Sequence, residues 1–120
     1  MKNNITGRWH FSEDFGFGKD KGFALLEQQG DVITGYVEFT ESIEDEEPFG
    51  VRQHVEGTFD GISLDLKGIK IEMLEEDNHI EYHPDHWEGI MNAQGQLVGS
   101  SSDGFGTFGV FVMEKSDVSR

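Results

Sequence analysis

Apolar and polar residues alternate along most of the chain, in short runs separated by glycine-containing turns. In the first run Ile5, Gly7, Trp9 and Phe11 share one face and Thr6, Arg8 and His10 the other, the period of two that marks a half-buried strand. Residues 23–28 and 32–39 repeat the pattern around Gln29-Gly30-Asp31, a short connection suited to antiparallel neighbours. Glu13 to Lys21 reads as a long turn, since it holds Gly16, Gly18 and two aromatics, Phe15 and Phe17. An acidic loop, Thr40 to Gly50, is broken by Pro48 and leads to a strand over 51–59, after which Asp60-Gly61 gives the strongest hairpin signal. Beyond it Ile62, Leu64 and Leu66 occupy even positions but Ile69, Ile71 and Met73 odd ones, so a bulge or bend is expected at Lys67-Gly68. Runs at 80–92, 96–101 and 105–115 complete the series, with Pro84 keeping the first out of central sheet until near His86. The last is apolar on both faces, Phe111 and Met113 against Phe108, Val110 and Val112, which suggests burial or a wall between core and partner.

About eight strands with no convincing helix predict an all-β chain: a single antiparallel up-and-down β-barrel over residues 1–115 with a polar tail at 116–120. A flattened sandwich with the same strand order would give the same pattern. At 120 residues the chain suits one core, burying roughly 65% of the unfolded surface. With no cysteine, neither a disulfide nor a thiolate zinc site can form, and a reducing, cytoplasmic setting is expected. Nine basic residues against twenty-four acidic ones give a formal charge of −15, which repels phosphate backbones and anionic lipid, so no nucleic acid and no membrane partner is expected. The acids cluster at Glu41, Glu44, Asp45, Glu46 and Glu47 and again at Glu72, Glu75, Glu76 and Asp77, where solvated loops are the plain reading and a basic partner or cation the sharper one.

The opening Thr6-Gly7-Arg8-Trp9, the hairpin spacing and the closing run from Gly106 to Lys115 resemble the calycin group of lipocalin-like, fatty-acid-binding-like and avidin-like barrels. The resemblance implies an eight-stranded barrel in which Gly7 and Trp9 place the tryptophan across the closed end. It does not extend to a lipocalin C-terminal helix or to a run of biotin-contacting residues, so neither of those functions carries over.

Eight strands enclose a space that side chains can fill or that can hold one small ligand. Glycines within strands, such as Gly35, Gly57, Gly89 and Gly99, either leave that space open or let the strands coil. A ligand-binding interior would be lined by Trp9, Phe23, Tyr36, Phe59, Trp87 and Phe111, with Phe15 and Phe17 as a lid loop. The segment His79-Ile80-Glu81-Tyr82-His83-Pro84-Asp85-His86 puts His79, Glu81 and His83 on one side of an extended strand, a nitrogen-and-oxygen donor set for a divalent cation; exposed histidines among acids are the plain alternative. Gly-x-Ser-x-Gly is absent, and Gly16-Phe17-Gly18-Lys19-Asp20-Lys21-Gly22 lacks the spacing of a phosphate loop. The expectation is therefore a non-enzymatic barrel, with no cofactor, holding a small apolar or amphipathic ligand inside. The alternative is an interaction domain with a filled core whose acidic and aromatic loops meet a protein partner or a second copy of the chain.

Overall fold

The computed structural model describes residues 4–75 and 82–116. Its strands are β1 (Gly7–Asp14), β2 (Gly18–Gln29), β3 (Val32–Ile43), β4 (Phe49–Phe59), β5 (Ser63–Met73), β6 (His86–Met91), β7 (Leu97–Ser102) and β8 (Phe108–Lys115). Each pairs antiparallel with the next, and β8 returns to β1 through partners running from Asp14–Val110 to Trp9–Lys115. The sheet is thus a closed up-and-down barrel rather than a sandwich, which is compatible with the calycin resemblance.

The pleat sends alternate residues inward, and Trp9, Phe11, Ile33, Phe59, Leu66, Trp87, Leu97 and Phe111 pack there as one core. The in-strand glycines serve backbone approach. A Cβ on Gly57 would stand 1.8 Å from the Asp65 carbonyl oxygen of β5, and one on Gly99 2.0 Å from that of Glu88 on β6. Along β5 the inward set changes parity at a bulge: Val55 faces Gly68 and His54 faces Lys70, which leaves Ile69 over and exposed. Leu64 and Leu66 before the bulge and Ile71 and Met73 after it therefore all meet the core.

The two ends of the barrel differ. At one end Gly30-Asp31, residues 60–62 and residues 92–96 make tight turns, with Gly30, Gly61 and Gly95 at positive φ. Trp9 lies toward this end, its indole Nε1 donating to the Ile5 carbonyl at 2.9 Å and the Lys115 ammonium 5.2 Å from its ring centroid. At the other end, the mouth, the β1–β2, β3–β4, β5–β6 and β7–β8 connections gather.

Three strands run further toward the mouth than their apolar alternation. β1 continues through Glu13, β2 begins at Gly18 and β3 reaches Ile43, so the long turn expected over 13–21 is a hairpin turn at Phe15–Gly18 closed by a 3.1 Å bond from Phe15 N to the Gly18 carbonyl. On the outer face of β8 Phe108 and Val110 are 70% and 63% exposed, so of the two expectations for this strand burial on both faces is excluded.

Candidate functional site

The extra length of β1, β2 and β3 carries three carboxylates into the barrel. Glu13 stands opposite Asp20, and Asp20 opposite Glu41, so one rung crosses three strands with an acid at every step. All three side chains are buried, Asp20 to 1% exposure. Like charges directly opposed across a sheet repel, and burial magnifies the effect, so this rung demands compensation. Among the described residues none of the three has an ion-pair partner, because Lys19 and Lys21 alternate to the outer side.

Part of the compensation is hydrogen bonding. The Trp87 indole Nε1 donates to Glu13 Oε1 at 2.8 Å, and Ser101 also bonds Glu13. The Tyr82 hydroxyl donates to Glu41 Oε1 at 2.8 Å. Asp20 reaches Glu41, yet its Oδ1 is buried without a hydrogen-bond partner. A fourth acid, Asp85, enters from the segment before β6. Inward-facing Gln53 clasps it twice, Nε2 donating to Asp85 Oδ2 at 2.6 Å and Oε1 accepting from the Asp85 amide at 3.0 Å. Gly68 N donates to the Asp85 carbonyl at 2.9 Å, and a Cβ on Gly68 would lie 2.3 Å from Gln53 Oε1, so the clasp needs glycine there.

Protonation supplies the rest. Burial, then the bond to Glu41 and the charges of Glu41, Glu13 and Asp85, push the Asp20 carboxyl up to about 10. Burial and the Glu13 charge raise Asp85 to about 7, against the opposing pull of Gln53. Burial likewise lifts Glu13, although its bonds to Trp87 and Ser101 act the other way, and burial lifts Tyr82 above the ordinary phenol range. Near neutral pH Asp20 is a neutral acid.

Above the rung lies a pocket of about 260 Å³. Glu13, Glu41 and Asp85 form its floor, and Phe15, Phe17, Phe49 and Tyr82 stand in its walls. Phe15 and Phe17 pack edge to face at 4.9 Å, and Phe49 and Tyr82 at 6.1 Å. His83 also lines it, its ring stacked 4.0 Å from that of Phe105.

The expected lining divides in three. Trp9, Phe59, Trp87 and Phe111 point inward and are packed core, with Trp87 directly under the pocket through its bond to Glu13. Phe23 and Tyr36 are corrected to the outer face, because even residues of β2 and odd residues of β3 are the inward ones; the Arg8 and Arg52 guanidiniums cover their rings at 4.0 and 4.6 Å. Phe15 and Phe17 are at the mouth, in a tight turn rather than a long lid. Of the expected metal set, His79 and Glu81 lie outside the described residues and His83 is in the pocket wall. Among the described residues three metal-type ligand atoms converge within 4.8 Å elsewhere, at Asp65, His86 and Glu88 on the outer side of β5 and β6.

Glu13, Asp20 and Gln53 are not among the expected site residues, whereas Glu41 is expected only in the acidic cluster and Asp85 only in the histidine segment. The readable signal was Gln53, a polar residue on an otherwise apolar inward face with Val51, Val55 and Phe59. No known protein family matches the chain, and neither does any curated protein or solved structure, so the mouth is read on its own geometry.

Proposed function

We propose that this protein is a non-enzymatic binding barrel that takes a small amphipathic ligand at its mouth, polar end down. The observation that carries the reading is the pocket itself: aromatic walls over a floor of convergent polar groups, which is how small-molecule sites are commonly built. The mouth is favoured over the deep interior because Trp87, Phe59 and Phe111 already occupy the latter. Binding is favoured over turnover because the described residues lining the pocket include no lysine or arginine to stabilise a developing anion.

Native mass spectrometry of untagged protein tests the reading, paired with amide NMR during titration of a small aryl fragment library. The expected result is an adduct lost on denaturation, or fragment-induced shifts confined to Phe15, Phe17, Phe49 and Thr107. Phe49→Ala should weaken the fragments about tenfold, a modest part of an aromatic contact. A bare apo mass together with no shifts at the mouth would refute it.

A further inference from the structure

We propose that Asp65, His86 and Glu88, on the outer face of β5 and β6, bind one divalent ion of the zinc class, His86 giving a nitrogen and each acid an oxygen. The site is separate from the mouth and needs no ligand there.

Strand register builds it. Leu66 and Trp87 turn into the core, so Asp65 of β5 and His86 and Glu88 of β6 turn outward. Asp65 stands directly opposite Glu88 and diagonal to His86, whose Nε2 lies 2.9 Å from Asp65 Oδ1. One ligand atom from each of the three falls within 4.8 Å of the other two. Donors about 2.0–2.2 Å from a zinc ion sit about 3.4 Å from one another, a spacing that side-chain rotation reaches from here.

The rung also carries uncompensated charge. From β4 to β7 it reads Thr58, Asp65, Glu88, Ser100, two acids face to face between two hydroxyls. Like charges directly opposed across a sheet are destabilising. Among the described residues neither acid has a lysine or arginine within ion-pair distance. Lys67, across from His86, has Glu56 on its other side. A cation held between Asp65 and Glu88 removes the repulsion that the register imposes.

There is room for the rest of a coordination shell. Asp65 borders a hollow of about 410 Å³ over β4 and β5, lined also by Val32, Glu56, Thr58 and Lys67. An ion at the trio therefore keeps a position open to water, as metal sites with three protein ligands do. The donors select the class of ion. Calcium takes about six to eight oxygens and magnesium a near-ideal octahedron of them, whereas imidazole with carboxylates suits zinc and its neighbours.

The test is titration of the untagged full chain with cobalt(II) and then zinc, read by the visible absorption of bound cobalt and by competition with a zinc-sensitive dye. One cobalt per chain is expected, bleached by zinc and not displaced by a large excess of calcium or magnesium. His86→Ala and Glu88→Gln should each lower zinc affinity about tenfold or more. His54→Ala, which removes the other imidazole paired with a carboxylate on the outer face, should leave it unchanged. Glu88→Gln, a change of similar shape at an exposed position, carries the test should His86→Ala not fold. No zinc binding, unaltered affinity in a folded variant of the trio, an equal loss in His54→Ala, or displacement by calcium would each overturn the site.

Discussion

At Asp20 burial and charge act in the same direction, and the acid answers by keeping its proton. The sign of the stability effect follows from linkage. Folded Asp20 holds a proton up to about 10, whereas an ordinary aspartate releases it near 3.8. Between those values the folded chain binds more protons than the unfolded one, so this group's contribution falls as pH rises. Asp85 adds the same sign between 3.8 and about 7. The protein should therefore melt higher near pH 5 than near pH 8.5. Asp20→Asn, which supplies a neutral group of similar shape, should raise the melting temperature at pH 8.5 by about 4 °C, the shift that about 1 kcal/mol gives a domain of this size. Scanning calorimetry across pH checks both, and a flat profile in the wild type would contradict them. These acids were hidden in the sequence because charge near a glycine-rich stretch reads as a solvated turn. Glu13 and Asp20 flank Gly16 and Gly18, and Glu41 stands beside the exposed run Glu44 to Glu47.

At the level of the strand, apolar alternation and pleat part company near the mouth. The hydrophobic signal of β1 stops at Phe11 and that of β3 at Phe39, yet both strands continue because the next inward residues, Glu13 and Glu41, are acidic rather than outward. Architecture was legible because it rests on apolar positions and turn glycines; the site was not, because it rests on polar residues at core positions. The bulge was legible for the opposite reason, since the parity switch from Leu66 to Ile71 demands a bulge or bend between them. Two glycine substitutions separate scaffold from site. Gly57→Ala, near the tight-turn end, forces a Cβ against the Asp65 carbonyl oxygen and should cost about 1–3 kcal/mol in urea unfolding while leaving fragment binding unchanged per folded molecule. Gly68→Ala pushes on Gln53 and frees Asp85, so it should weaken mouth ligands as well. Equal binding losses in both variants would show that the clasp has no special role.

Across the whole molecule the formal charge of −15 draws cations and repels anions, and the mouth gathers more of that charge in Glu44 to Glu47. Association of a cationic fragment should slow as ionic strength rises from about 0.01 to 0.15 M, where the screening length falls from about 30 to 8 Å, with less change in dissociation. Stopped-flow fluorescence of the tryptophans would follow this, and salt-independent association would argue against steering. The β1–β8 seam joins positions as distant as Trp9 and Lys115, and it is the same seam that swings Glu13 into the lumen opposite Phe111. Loop closure over such a span is slow and comes after local hairpins. Glu13, Asp20 and Glu41 meet in the local β1–β2–β3 hairpins, but only closure of the barrel takes them out of water and sets Asp85 against them, which makes their desolvation a late kinetic barrier. Refolding should quicken in mildly acidic solution, with the seam acting as a proton-sensitive latch on the folding reaction itself.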